Sequence, residues 1–186
     1  MITKTLDLVI GGIKARLLKY MGLAGLLFNA NMITNNIWVG GLNSPRTIIS
    51  EGFNTVIDLR EEDASSYQSI LKKHGIEYFN VRIPDGMGAP PNVLFEITKI
   101  IMKRVKDGKK ILIHCNLGRG RSILVAAAYL VSKGLKPDEA IDKIKSLRSV
   151  SFLNAQQKGA LYEFAKALKK YDFSRLHYST SDPANN

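Results

Sequence analysis

The chain has 186 residues, a length that allows one domain with a substantial hydrophobic core and little more. Hydrophobic residues make up 45% of the sequence and charged residues 23%, which excludes an intrinsically disordered protein. The net charge of +11 favours anionic partners, and charge alone leaves phosphorylated molecules, acidic lipid surfaces and nucleic acid open.

Residues 1–30 carry apolar side chains at helical spacing between basic residues. The run of residues 21–28 is too short to span a bilayer, and Asp7 interrupts the only candidate core of a signal peptide. We therefore predict an amphipathic segment over residues 1–30. It would either pack on the flank of the domain or lie on a membrane surface as a peripheral anchor. The apolar stripe consists of Leu6, Ile10, Ile13, Leu17 and Met21.

Short apolar runs predict three strands in the first half of the chain, over residues 33–41, 54–60 and 76–83. Helices are predicted between them, over residues 43–52 and 67–73. Residues 84–91 contain two glycines and three prolines, which break regular structure and predict a loop around Asp85.

The second half of the chain predicts one strand and four helices. The strand is the fully apolar run of residues 111–113. Helices are expected over residues 92–107, over residues 122–133, from Lys136 onward and over residues 155–171. Residues 172–186 form a polar tail, which we expect to be disordered.

Residues 115–121 join the strand to the helix that follows it, and we call them the phosphate-binding loop. Backbone N–H groups of such a loop point to the N-terminus of the helix, where the helix dipole favours an anion. Gly118 and Gly120 let the chain curl so that successive amides converge on a phosphate. Arg121 can hold two phosphate oxygens with its planar fork. The same field would stabilise a Cys115 thiolate as a nucleophile, although Cys115 could instead be a small buried hydrophobic residue.

Cys115 is the single cysteine of the sequence. It excludes an internal disulfide and a zinc site built from several cysteines. A reactive thiol favours a reducing compartment, so we expect a cytoplasmic protein, with membrane association as the alternative if residues 1–30 act as an anchor.

The pattern His-Cys-x5-Arg-Ser, here His114, Cys115, Arg121 and Ser122, resembles the phosphate-binding loop of the cysteine-dependent protein tyrosine phosphatase superfamily. The short chain is similar to the dual-specificity branch. The resemblance implies a catalytic domain over residues 31–171. Its fold would be α/β, with a mostly parallel central sheet flanked by helices, which the alternation of predicted strands and helices also favours.

The resemblance implies a role for each site residue. Cys115 would attack phosphorus, Asp85 would protonate the leaving group as the general acid, and Ser122 would hydrogen-bond the departing thiolate. The competing carboxylates for the acid are Asp58, Glu61, Glu62 and Asp63, whose places at a strand end or in a loop suit an ordinary structural role better. His114 would orient the loop, and Gln157 would either position the hydrolytic water or be an ordinary solvated helix residue. No metal or cofactor is implied. The phosphate would be bound by Asn116, Leu117, Gly118, Arg119, Gly120 and Arg121.

The substrate is expected to be a phosphorylated protein, cleaved by a dual-specificity or tyrosine phosphatase. Residues 118–130 and Gln157 also resemble phosphatases that act on anionic phospholipids, such as phosphatidylglycerophosphate or a phosphoinositide. Asn116 departs from that branch, which usually carries Lys there. Nucleic acid is not expected as a partner.

Two other functions fit part of this pattern. A phosphate-binding module without turnover would bind the same anion, and a sulfur transferase would carry a similar loop. Phosphate-binding modules of this kind typically lack the cysteine or the arginine, whereas this chain keeps both Cys115 and Arg121. A sulfur transferase needs no acid placed like Asp85.

Overall fold

The computed structural model describes residues 28–170, which form five strands and six helices. The strands are β1 (Ala30–Thr34), β2 (Ile37–Gly40), β3 (Thr55–Asp58), β4 (Glu77–Asn80) and β5 (Ile111–His114). The helices are α1 (Pro45–Ser50), α2 (Ser65–Lys73), α3 (Pro91–Lys106), α4 (Arg121–Ser132), α5 (Pro137–Leu147) and α6 (Ala155–Lys170).

The strands form one sheet in the order β1-β2-β5-β3-β4. Only β1 is antiparallel to its neighbour, so the prediction of a mostly parallel α/β sheet is confirmed. In the register of the sheet, His114 at the end of β5 lies opposite both Gly40 of β2 and Asp58 of β3. The carboxyl ends of three strands therefore meet beside Cys115, at the edge where parallel sheets bind ligands.

The prediction of one strand over residues 33–41 is wrong. The chain forms a hairpin there, in which β1 runs antiparallel to β2 and the two strands are separated by a turn at Asn35 and Asn36. Asparagine favours turns because its side chain bonds to nearby backbone groups. The predicted strands over residues 54–60 and 76–83 exist but are shorter, since they end at Asp58 and Asn80.

Two hydrophobic clusters cover the two faces of the sheet. Successive side chains of β5 point to opposite faces of the sheet, so Ile111 and Ile113 belong to the larger cluster and Leu112 belongs to the smaller one. The larger cluster fills the space between the sheet and α3 to α6, and the smaller one lies under α1 and α2. Every residue of α4 from Arg121 to Val131 is buried, and three successive alanines let this helix approach its neighbours closely. The phosphate-binding loop is thus fixed at both ends by the core.

Most of the predicted amphipathic segment of residues 1–30 lies outside the described residues, as do Tyr171 and the tail of residues 172–186. None of the helices within residues 28–170 combines the length and the apolar character needed to span a bilayer.

Candidate active site

Cys115 lies at the carboxyl end of β5 with its side chain almost fully buried. Its Sγ accepts a hydrogen bond from the Gly118 N–H at 3.3 Å and lies 3.6 Å from the Ser122 Oγ. Hydrogen bonds of this kind stabilise a thiolate. The structure therefore brings Ser122 and the loop backbone to the predicted nucleophile.

Gly118 is required by the shape of the loop. Its φ of +68° lies in the left-handed region, where side chains other than hydrogen are strained. A Cβ at this position would also lie 2.3 Å from backbone atoms of Gly40 and Gly41. The glycine allows the loop to press against the end of β2.

Arg121 begins α4 with its side chain 2% exposed. Its Nη1 donates to the carbonyls of Ile83 at 3.0 Å and Leu59 at 3.3 Å. Within the described part of the chain, its Nε has no hydrogen-bond partner, and its Nη2 makes no hydrogen bond but forms an ion pair with the exposed Asp85 carboxylate at 2.9 Å. Buried N–H groups of a charged side chain are costly to leave unpaired, so this edge of the guanidinium is suited to two oxygens of an anion.

Asp85 lies in the loop of residues 84–90, which we call the acid loop. Its Oδ1 is 2.9 Å from the Nη2 of Arg121, and its side chain is 82% exposed. Two side chains from the start of α6 hold this loop: the Asn154 Nδ2 donates to the Gly86 carbonyl at 2.7 Å, and the Gln157 Nε2 donates to the Met87 carbonyl at 3.4 Å. The predicted acid therefore sits at the mouth of the phosphate-binding loop.

His114 is fully buried next to the nucleophile. Its Nδ1 lies 3.4 Å from the Cys115 carbonyl oxygen, and its Nε2 lies 3.4 Å from the Tyr67 hydroxyl and 3.8 Å from Asp58 Oδ2. Burial lowers the pKa of His114 to about 4, so its imidazole is neutral at pH 7. These contacts are consistent with the predicted role of orienting the loop.

Asp58 anchors the network behind His114. It is buried and accepts hydrogen bonds from the Arg60 guanidinium and, at 2.7 Å, from the Tyr78 hydroxyl. Burial opposes its ionisation, but the hydrogen bonds from Arg60 and the charges nearby keep the pKa of Asp58 below its ordinary value. In the sequence Asp58 competed with Asp85 for the role of the acid, and its burial behind His114 fits the structural role that its place at the end of a strand favours.

Four carbonyls of the phosphate-binding loop are held from outside it. The partners are His114 Nδ1 near Cys115 O at 3.4 Å, Leu42 N to Asn116 O at 3.0 Å, Arg148 Nε to Gly118 O at 2.8 Å and Phe152 N to Arg119 O at 2.8 Å. In a planar trans peptide, C=O and N–H point in opposite directions. Carbonyls that face outward therefore direct the amides of the following residues toward the hollow of the loop.

Gln157 is buried, which excludes the solvated alternative. It packs on the loop, because a Cβ at Gly120 would lie 2.8 Å from its Nε2. The predicted role in placing water is consistent with this position.

Two further residues contact the site: Arg148, which carried no signal in the sequence, and Glu62, which the sequence offered only as a weaker candidate for the acid. Arg148 is buried under the loop after α5, where an isolated arginine looks like an ordinary surface residue. Glu62 accepts a hydrogen bond from the Asn116 Nδ2 at 2.6 Å, and this bond lowers the pKa of Glu62. Over residues 28–170, no cluster of three or more His, Cys, Asp or Glu side chains could hold a metal ion.

Comparison with known proteins agrees with this geometry. Residues 42–167 match the family model described as dual specificity phosphatase, catalytic domain. The chain is 35% identical over 115 residues to cyclin-dependent kinase inhibitor 3 of Rattus norvegicus, with 60% of the chain and 54% of that protein covered. It thus spans about half the length of this relative. The chain is also 30% identical over 129 residues to phosphatidylglycerophosphatase and protein-tyrosine phosphatase 1 of Mus musculus, with 66% of the chain and 67% of that protein covered.

Solved structures are similar over most of the chain. The crystal structure of Tk-PTP in the active form matches with a TM-score of 0.69 and 29% identity, covering 74% of this chain and 97% of that one. The crystal structure of PTPMT1 matches with a TM-score of 0.69 and 25% identity, covering 76% and 96%.

Proposed function

Because the chain belongs to the dual specificity phosphatase catalytic-domain family, we propose that it hydrolyses phosphomonoesters through a cysteinyl-phosphate intermediate on Cys115. One observation supports the proposal most. The Cys115 sulfur belongs to the same buried loop as the edge of the Arg121 guanidinium that contacts only the exposed Asp85 carboxylate, and the outward carbonyls of this loop turn its amides inward. A nucleophile and the ligands of a phosphate are thereby placed together.

The first step forms a bond between the Cys115 sulfur and phosphorus and breaks the bond from phosphorus to the ester oxygen. The loop amides and Arg121 hold the three remaining oxygens and stabilise their charge in the transition state. Asp85 donates its proton to the leaving oxygen. For this, the Asp85 carboxyl turns from Arg121 to the substrate, a motion that its exposure of 82% permits.

The second step hydrolyses the cysteinyl phosphate. Asp85, now a carboxylate, takes a proton from water as the water oxygen attacks phosphorus. The bond to sulfur breaks, and the Ser122 hydroxyl at 3.6 Å can donate a hydrogen bond to the departing thiolate. Gln157, packed beside Gly120, is suited to holding the water with its side-chain amide.

The substrate we propose is a phosphorylated protein, cleaved at phosphotyrosine and at phosphoserine or phosphothreonine. The rim of the site supports a protein over a lipid, because Glu62 places a carboxylate beside Asn116. A carboxylate in this position repels a head group that carries several negative charges.

An anionic phospholipid is the second candidate. The observation in its favour is the 30% identity to the Mus musculus relative, whose name combines phosphatidylglycerophosphatase with protein-tyrosine phosphatase. Peripheral contact of residues 1–30 with a membrane would serve such a substrate. Mixing full-length protein and protein lacking residues 1–27, a cut that spares Asn29 and β1, with anionic vesicles tests this contact, and equal flotation of the two proteins would rule the contact out.

Turnover assays separate these functions. Phosphotyrosine peptide, phosphoserine peptide and phosphatidylglycerophosphate would be compared side by side, with para-nitrophenyl phosphate as a general substrate. We expect the general substrate and the phosphotyrosine peptide to be hydrolysed. Binding of phosphate without any turnover would instead support a phosphate-binding module, and the absence of both would favour sulfur transfer.

A further inference from the structure

We propose that Arg148 is a positioning residue for the phosphate-binding loop, which fixes the Gly118–Arg119 peptide so that the Arg119 N–H faces the bound phosphate. The inference rests on the proposed function, because it assigns a residue to the same site. It concerns a side chain that lies behind the loop and is not expected to touch the substrate.

The Arg148 guanidinium makes three short hydrogen bonds from a buried position. Its Nε donates to the Gly118 carbonyl at 2.8 Å, its Nη1 to Asn31 Oδ1 at 2.7 Å and its Nη2 to Asn29 Oδ1 at 2.8 Å. The whole residue is 5% exposed. Arg148 thus joins the end of α5, the loop and the β1 edge of the sheet through one rigid planar group.

The Gly118 carbonyl is the acceptor that matters for catalysis. It belongs to the same planar peptide as the Arg119 N–H, so a donor that pulls the carbonyl outward turns this N–H inward. Gly118 has a φ of +68° and, as glycine, could rotate its peptide more easily than other residues. The loop is therefore most prone to a peptide flip at the position where Arg148 holds it.

The charge of Arg148 also suits this role. Among residues 28–170, no carboxylate forms an ion pair with it, and its three acceptors are a carbonyl and two amides. Burial lowers the pKa of Arg148 to about 10, while the nearby Cys115 thiolate acts in the opposite direction. The group therefore stays cationic at pH 7, and its charge is left to attract the thiolate and the phosphate.

The test measures phosphate binding and turnover in Arg148→Met and Arg148→Lys. Cys115 is the only cysteine, so the rate of its alkylation by iodoacetamide reports on the loop alone, and inorganic phosphate should protect it. In Arg148→Met we expect the phosphate concentration for half protection to rise about tenfold and kcat/KM for para-nitrophenyl phosphate to fall roughly 10²-fold. Arg148→Lys should lose about tenfold in kcat/KM, because the charge remains and the fork is lost.

Two controls separate this role from general stabilisation. Arg82→Met removes an equal charge from an exposed arginine, and Ile101→Val weakens the core at a buried position of α3 that makes no hydrogen bond to the loop through its side chain. Both should keep protection and kcat/KM within about twofold of wild type.

Values within about twofold of wild type for Arg148→Met would overturn the proposal. If Arg148→Met does not fold, Arg148→Lys takes its place, and a kcat/KM within about twofold of wild type in that variant would overturn the proposal. Protection by inorganic phosphate needs no turnover. If wild type is protected but hydrolyses no phosphomonoester, the proposed function fails and the protection assay still judges the role of Arg148.

Discussion

The phosphate-binding loop and the acid loop meet at Arg121, yet they are held in different ways. Carbonyls of the first contact the adjoining His114, the backbone of Leu42 and two donors of the segment 148–152, and its ends are buried in the core. The second is held to α6 by two side chains and exposes 82% of its Asp85 side chain. The groups that bind phosphate are thus preorganised, whereas the proton donor sits where it can move between two partners.

The largest effect is expected from the rigid loop. Cys115→Ser should reduce turnover of para-nitrophenyl phosphate by about 10⁴-fold or more, because a serine hydroxyl is a far weaker nucleophile without a base beside it. Binding of inorganic phosphate should persist, since the amides and Arg121 are unchanged. Isothermal titration with inorganic phosphate, beside a turnover assay, measures both. Wild-type turnover in this variant would rule out the proposed nucleophile.

A smaller effect is expected from the acid loop. Asp85→Ala should lower kcat by roughly 10²-fold and remove the limb of the pH profile that belongs to the acid. The loss should be greatest for phenyl phosphate, whose leaving group needs a proton, and least for dinitrophenyl phosphate, whose leaving group does not. An equal loss with both substrates would assign the acid to another residue, with the exposed Glu62 as the first to examine.

The buried network behind the rigid loop predicts a dependence of stability on pH. His114 has a folded pKa of about 4, below its ordinary value of 6.5, so the unfolded chain binds more protons between these values. Stability is therefore complete above pH 6.5 and falls toward pH 4, by about 2 kcal/mol at pH 4.5 from this group.

Urea unfolding of wild type and His114→Asn at pH 7 and pH 4.5 measures this contribution. The variant should be less stable at pH 7 and should lose less stability on acidification. Glu62, whose pKa is lowered by its hydrogen bond from Asn116, contributes to the acid loss in both proteins and cancels in the difference. The lowered pKa of Asp58 depends in part on the charge of His114, so the difference reports on His114 and Asp58 together. Parallel losses in the two proteins would show that His114 is accessible to protons in the folded state.

The smallest effect is expected at the contact that holds the acid loop. Asn154→Ser removes the donor to the Gly86 carbonyl but can still accept from the Gln157 N–H, which Asn154 does at 2.9 Å. We expect turnover of phenyl phosphate to fall roughly fivefold and that of dinitrophenyl phosphate to change little. Asn154→Ala, which loses both bonds, is the matched control. A uniform loss with both substrates would mean that the contact also shapes the rigid loop.

The sequence predicted the rigid loop well because its chemistry is contiguous. Cys115, the two glycines and Arg121 lie within one short stretch that an apolar strand and a helix frame, so local patterns are enough. The order of strands and helices likewise followed from periodicity. The hairpin of β1 and β2 was missed because the turn at Asn35 and Asn36 interrupts a run that looks continuous.

The supports of the loop could not be predicted in this way. Arg148 lies 30 residues from Gly118, and 117 and 119 residues from its two asparagine partners. Neither asparagines shortly before a predicted strand nor an arginine after a predicted helix are unusual by themselves. Such contacts depend on how elements pack, which no local pattern records.

The hairpin has a practical consequence for trimming the protein. The family model begins at residue 42, whereas Asn29 and Asn31, which receive two of the three hydrogen bonds of Arg148, lie before it. A fragment cut at that boundary would keep every residue that faces the substrate. It would, however, lose β1 and β2, together with the two asparagines that hold Arg148 behind the loop. For expression of an active fragment, the cut therefore belongs upstream of Phe28.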